Sequence, residues 1–297
     1  MTKPTGGVFA VPTTPFDTDG TQNIEALTTR VAEVLETGVA GILCLGATGE
    51  ALALSDDERE AQIRAVVDTA GDRASIVVGC MAYTPERMGR HIADAKAAGA
   101  DAVMITPPFY GGLEPDTAAA ALHSVMTDSP LPVMVYNNPG STGTDLLPEH
   151  LATLADTGRL WSVKETSGEA SRVRELRAEL GEDVDVFVGA DGIALEGFVQ
   201  GASGWVAASA WLLPEACQRL WAHARDGNWA AAVELWNDLS AALAQIEHNP
   251  AFISLIKQAL SQRIEQGPVR PPLPTADSES LQTLLLTITA LEKGKLT

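Results

Sequence analysis

Eight short apolar runs alternate with helix-period segments from residue 7 to about residue 215, and nothing else in the chain constrains its fold as strongly. The runs are Gly7–Pro12, Gly41–Leu45, Ser75–Cys80, Ala102–Thr106, Pro132–Tyr136, Leu160–Val163, Val184–Val188 and Gly204–Ala207. Each is the length of a strand buried on both faces, which reads as a continuous apolar stretch rather than an alternating one. Between them, Ile24–Thr37, Asp56–Ala70, Pro85–Ala98, Asp116–Thr127 and Ser171–Leu180 repeat their apolar residues at helical spacing. Ser55 followed by Asp57 and Glu58, and the run Thr84-Pro85-Glu86, carry helix-start chemistry, and Gly38, Gly71, Gly99, Gly158, Gly181 and Gly201 carry helix-stop chemistry.

Eight such units predict an α/β protein, a closed parallel (β/α)8 barrel. An open doubly wound sheet would place a glycine-rich phosphate turn after its first strand; this chain has Thr13-Thr14-Pro15-Phe16 there. Beyond Pro214 the pattern turns all-helical, over Trp211–Ala224, Trp229–Glu247, Asn249–Gln266 and Ser278–Lys293, with a stiff proline-rich linker at Gly267–Pro274. The expected division is a barrel over residues 1–227 and a C-terminal helical extension over 228–297.

Charge narrows the partners. With 20 Lys and Arg against 39 Asp and Glu the net charge is −19, a surface that repels nucleic acid and anionic membrane. No apolar run reaches membrane-spanning length, and no basic-plus-apolar leader opens the chain. Cys44, Cys80 and Cys217 are odd in number and widely spaced, so buried thiols in a reduced, cytoplasmic protein are the expectation.

Reacting groups in such barrels gather at the C-terminal ends of the strands. The second strand ends in Gly46-Ala47-Thr48-Gly49-Glu50, whose backbone amides and threonine hydroxyl suit a carboxylate; the bland reading is a tight turn with Glu50 favouring a helix start. The fourth strand runs into Tyr110, and the fifth into Tyr136-Asn137-Asn138-Pro139-Gly140-Ser141-Thr142-Gly143. The sixth delivers Lys164, the seventh Gly189-Ala190-Asp191-Gly192. A lysine amine at its ordinary pKa is neutral in only about one molecule in a few thousand at pH 7, but a barrel can desolvate it into the nucleophile that attacks a ketone. Glu165, next in the strand, points to the opposite face and is given no catalytic part. Asp191 reads equally as a substrate contact and as a helix cap. A phosphate site near Gly189–Gly192 lacks basic residues. The five histidines, His91, His123, His150, His223 and His248, fall in helical segments without ligand spacing, against a metal-dependent lyase.

These motifs together, from Pro12-Thr13-Thr14-Pro15-Phe16 through GATGE, YNNPGSTG, VKETSG and GAD to Gly201-Ala202-Ser203-Gly204, resemble the dihydrodipicolinate synthase/N-acetylneuraminate lyase family of class I, pyruvate-type aldolases and dehydratases. The resemblance implies that Lys164 forms a Schiff base with a 2-oxo acid, that Tyr136 shuttles protons, and that Thr48 and neighbouring amides hold the substrate carboxylate. Tyr110 matches a tyrosine that reaches into a neighbouring subunit's site, implying a homodimer or homotetramer. Ala47, Gly189, Ser141, Asp191, Val206 and Ser209 are the remaining expected substrate contacts, with no cofactor and no metal. Three departures bear on the substrate. The family commonly has Thr or Ser where Ala47 stands, and its synthase branch has Arg where Ser141 stands. Asp56 and Arg59 occupy the places of the histidines of a lysine-feedback site. The expectation is therefore a Schiff-base dehydratase or aldolase acting on a pyruvate-like 2-oxo acid, such as a 2-keto-3-deoxy sugar acid. The alternatives are a synthase-type condensation of pyruvate with an aldehyde, and a non-catalytic 2-oxo acid sensor.

Overall fold

A computed structural model describes residues 4–294. Eight strands, β1 Gly7–Ala10, β2 Gly41–Cys44, β3 Ser75–Gly79, β4 Ala102–Ile105, β5 Val133–Asn137, β6 Leu160–Glu165, β7 Asp185–Val188 and β8 Gly204–Ala207, form a closed parallel barrel in sequential order. β8 pairs with β1 from Gly7↔Gly204 to Ala10↔Ala207, which closes the ring. The helices over the barrel are α1 Ile24–Leu35, α2 Asp56–Ala70, α3 Pro85–Ala97, α4 Pro115–Thr127, α5 Pro139–Thr142, α6 Pro148–Ala155, α7 Ser171–Leu180, α8 Ala194–Val199 and α9 Pro214–Arg225. Three more follow as a C-terminal helical segment, α10 Trp229–Glu247, α11 Phe252–Leu260 and α12 Ser278–Gly294, with α10 packed on both α9 and α12.

The (β/α)8 expectation holds, with local differences. α5, α6 and α8 are too short to show helical periodicity. α11 is shorter than the Asn249–Gln266 pattern, because Asn249 turns its side chain onto the Ala251 amide and delays the start. Ser55 and Thr84 cap α2 and α3, Ser55 in a reciprocal capping box with Glu58.

One irregularity matters for the site. Leu160 pairs with Val133, but the next pair is Ser162 with Met134, so Trp161 has no partner on β5. The extra residue puts Trp161 and Lys164, three apart, on the same side of β6. Trp161 meets Phe9 of β1 and Phe187 of β7, with ring centroids 6.2 and 5.7 Å away. β6 and β1 are not neighbours in the ring, so Trp161 and Phe9 touch across its interior. Gly41 and Gly204 leave room for the plug: a methyl at Gly41 would fall 2.1 Å from Phe9, and one at Gly204 2.6 Å from Phe187. The three cysteines are buried, and none forms a disulfide.

Candidate active site

Above the aromatic plug, Lys164 is held in register between Tyr136 on β5 and Phe187 on β7. It is 8% exposed, and its Nζ lies 4.2 Å from the centroid of the Tyr136 ring. Among the described residues no carboxylate lies within ion-pair distance of it, so this buried amine is not half of a structural salt bridge. Gly189 makes room for it. A methyl there would fall 2.7 Å from Lys164 Cε and 2.0 Å from Thr166 Oγ1. Tyr136 Oη accepts a hydrogen bond from Asn138 Nδ2 at 2.7 Å, while Asn138 Oδ1 accepts from the Ser141 amide at 3.2 Å. Asn138 thus uses its amide to aim the tyrosine and to start α5, a role the sequence reading left unassigned. Its helix-cap position before Pro139 was the available signal.

Lys164 opens into a cavity of about 200 Å³ lined by Ala47, Thr48, Tyr136, Asn138, Ser141, Thr166, Gly189, Asp191, Val206 and Glu247, among others. One wall is the turn after β2. Gly49 and Glu50 donate to the carbonyls of Gly46 and Ala47, at 3.1 and 3.0 Å, leaving the Ala47 and Thr48 amides with no backbone acceptor among the described residues. Two adjacent free amides beside a threonine form a concave anion-binding surface. Leu45 and Glu50, at φ 57° and 54°, bracket this turn in the left-handed region, where residues bearing side chains are uncommon. Gly79 of β3 permits the first of them: a methyl there would fall 2.0 Å from the Leu45 carbonyl oxygen.

The opposite wall differs from expectation. Asp191 does not cap the following helix; it lines the cavity, with both of its oxygens engaged by the protein. Its Oδ1 accepts from Trp205 Nε1 at 2.9 Å and its Oδ2 from the Ser209 amide at 2.8 Å, and burial pushes its carboxyl up to about 6. Ser209 is not brought to the cavity; its hydroxyl is fully buried and turned onto Cys217 Sγ, 3.6 Å away. Tyr110 does not reach its own chain's cavity either, being 79% exposed with its ring 6.2 Å from that of Tyr83. Besides Asn138, two polar lining residues escaped the sequence reading. Thr166 Oγ1 is buried without a hydrogen-bond partner. Glu247, from the end of α10, comes beside Asp191 and accepts from the Gly192 amide at 2.6 Å through Oε2. Of all the lining residues, Lys164 is the sole cation.

Neighbours of the site also resolve smaller questions. Glu165 lies outside the barrel wall, accepting from Asn137 Nδ2 at 3.0 Å and the Ser167 amide at 2.5 Å. Glu50 does not serve a helix start. It is buried and paired with Lys257 Nζ of α11 at 2.9 Å. Arg59 donates to the carbonyls of Ala51 and Gly79 at 3.2 and 2.8 Å, so the residue in a feedback-site position braces the turn instead. Among the described residues no group of three His, Cys, Asp or Glu side chains is placed to hold a metal ion, and no helix is long and apolar enough to cross a membrane.

A lysine amine inside a (β/α)8 barrel, facing a tyrosine and an anion-binding turn, defines the class of lysine Schiff-base lyases. The dihydrodipicolinate synthetase family model matches residues 4–291, and the chain belongs to that family, whose members are class I, pyruvate-dependent lyases. The chain is 33% identical to a 4-hydroxy-tetrahydrodipicolinate synthase of Xanthomonas campestris over 293 residues, covering 96% of this chain and 95% of the relative. It is 30% identical to a protein of the same name from Desulforudis audaxviator, over 96% of this chain and 98% of the relative. The chloride-inhibited dihydrodipicolinate synthase of Acinetobacter baumannii, solved with pyruvate, superposes with a TM-score of 0.91 at 26% identity, over 97% of this chain and 99% of that one.

Proposed function

We propose that Lys164 forms an imine with the 2-oxo carbon of a pyruvate-like acid whose carboxylate rests on the Ala47 and Thr48 amides. The observation that carries this reading is the buried, carboxylate-free Nζ of Lys164, 4.2 Å from the centroid of the Tyr136 ring and lining one cavity with that turn. The amine adds to the carbonyl carbon, and the resulting hydroxyl leaves as water. Tyr136 supplies its proton and recovers one from the nitrogen, and the imine takes up a further proton from solvent to become an iminium. The iminium then accepts the electron pair released when a proton leaves C3 or when the C3–C4 bond breaks.

The far half of the cavity supports a substrate whose tail is hydroxylated and uncharged, as in a 2-keto-3-deoxy sugar acid. Ser141 stands where a cation would bind a second carboxylate, and Asp191 and Glu247 would repel one. With such a substrate, loss of the C3 proton and of the C4 hydroxyl as water is a dehydration. Deprotonation of the C4 hydroxyl with C3–C4 cleavage releases an aldehyde, and the enamine left behind takes up a proton at C3.

The second reading is the reverse step, condensation of pyruvate with an aldehyde. The names of the Xanthomonas and Desulforudis relatives, matched over nearly their whole lengths, favour it over the sugar acid reading. Borohydride reduction with pyruvate is expected to add the mass of a reduced pyruvyl adduct to Lys164, and to add nothing in Lys164→Arg. A well-folded sample that traps no 2-oxo acid would falsify both readings. Product masses from 2-keto-3-deoxy acids, and from pyruvate with aldehydes that carry or lack a carboxylate, separate them. Reversible binding without turnover across that panel would leave a sensor.

A further inference from the structure

The turn that carries the Ala47 and Thr48 amides is held from far along the chain. Lys257 is 1% exposed, and its ammonium makes three hydrogen bonds, to Thr14 O at 2.8 Å, Glu50 Oε1 at 2.9 Å and Pro268 O at 2.7 Å. An ammonium has three protons, and all are used. The second oxygen of Glu50 accepts from the Arg270 amide at 2.7 Å. The Arg270 guanidinium reaches Ala53 O at 2.9 Å and lies 4.3 Å from the Phe16 ring centroid. The opening loop joins the same assembly. Thr14 Oγ1 donates to Gly49 O at 2.7 Å, and Thr13 Oγ1 to Gln266 Oε1 at 2.8 Å.

A buried ion pair is a poor device for stability alone, since apolar residues of similar volume commonly do as well. Here the pair closes on a residue whose backbone is itself unusual. Glu50 sits at φ 54° and ends the four-residue stretch Gly46–Gly49, whose other boundary, Leu45, is at φ 57°. Such a conformation persists only where its surroundings over-determine it. If the carboxylate of Glu50 were released, the turn could relax toward ordinary dihedrals, and the Ala47 and Thr48 amides would lose their shared direction.

We propose that Lys257 is a positioning residue for the substrate carboxylate: acting through Glu50, it holds the turn whose two free amides bind that group. The C-terminal helical segment thereby sets the affinity of the site for 2-oxo acids without touching them. The inference rests on the reading of the Ala47–Thr48 turn as the carboxylate site.

The test compares the full-length wild type with Lys257→Met and with the double variant Glu50→Gln/Lys257→Met, which leaves no unpaired buried charge should the single variant fail to fold. The quantities read are the pyruvate concentration giving half-maximal borohydride-trapped adduct on Lys164, the rate of pyruvate C3-proton exchange at saturation, and the melting temperature. Half-saturation is expected to rise about tenfold or more in the folded variants, as when a hydrogen bond to a charged group is lost, with a much smaller fall in the saturated exchange rate. A lower melting temperature with unchanged half-saturation would mean a structural role only and overturns the proposal. An equal loss in half-saturation and saturated rate also overturns it. A wild type that forms no pyruvate adduct fails differently, removing the Schiff-base reading before the variants are compared.

Discussion

At the scale of single residues, the site depends on which side chains are left without partners. Lys164 has no carboxylate beside it, and Tyr136 has its hydroxyl aimed by Asn138. Tyr136→Phe keeps the ring against the lysine but removes the proton relay, and should lower kcat by roughly 10²- to 10⁴-fold with a smaller effect on pyruvate half-saturation, measurable by steady-state kinetics on the substrate that the screen identifies. His91 is the opposite case, a buried ring with neither nitrogen hydrogen-bonded. Burial, helped by the Arg59 and Arg87 guanidinium groups, lowers its pKa to about 4. The unfolded chain therefore binds a proton near pH 6.5 that the folded chain refuses, and this contribution to stability is lost as pH falls from about 6.5 toward about 4. The loss is on the order of 3 kcal/mol. Urea unfolding at pH 7.5 and pH 5 should show that slope, and His91→Leu should flatten it.

At the scale of elements, adjacent strands fix what the residues can do. Gly189 on the end of β7 and Lys164 on β6 share one volume, so Gly189→Ala would push the amine or Thr166 aside. The expected result is a loss of activity and of pyruvate trapping of at least about a hundredfold with the far-UV spectrum unchanged, because a displacement near 1 Å at a reacting centre is enough. The strand ends, the glycine stops and the convergence of Lys164, Tyr136 and the GATGE turn on one rim were legible in the sequence, because each follows from local periodicity and turn chemistry. Asp191, Ser209 and Glu50 were not. Each is a polar residue near the rim, but whether its oxygens face a cavity depends on Trp205, Cys217 and Lys257, which other elements bring in. Thr166 and Glu247 were missed for the same reason: nothing local marks a surface glutamate at the end of α10 as a neighbour of β7.

At the scale of the whole molecule, a few large apolar side chains stay exposed, and two of them touch. Tyr110, Tyr83 and Leu52 are among the few large apolar residues left open, and Tyr110 and Tyr83 are in ring contact. The family resemblance places Tyr110 in a second copy's site, and pairing through Tyr110 and Tyr83 would account for a tyrosine absent from its own cavity. Sedimentation of the wild type should give a dimer or larger assembly. Tyr110→Glu with Tyr83→Glu should shift it toward monomer and, if the partner's tyrosine completes the site, lower activity alongside. A monomeric wild type would remove this idea. The net charge of −19 repels a second copy in general, so pairing must be carried by a specific contact.

The sequence alone determined the barrel, because eight buried parallel strands and their covering helices write their periods directly into the chain. It determined the lysine as well, since strand-end position and motif are local properties. Tertiary structure decided what surrounds that lysine. An unpaired Trp161 shifts the register of β6 and brings plug and lysine to the same interior. Asp191 is occupied by β8 and the turn that follows it, and Glu50 is held by a lysine 207 residues away. Hydrogen bonds and ion pairs are satisfied by whatever arrives in space, and strand periodicity carries no record of that.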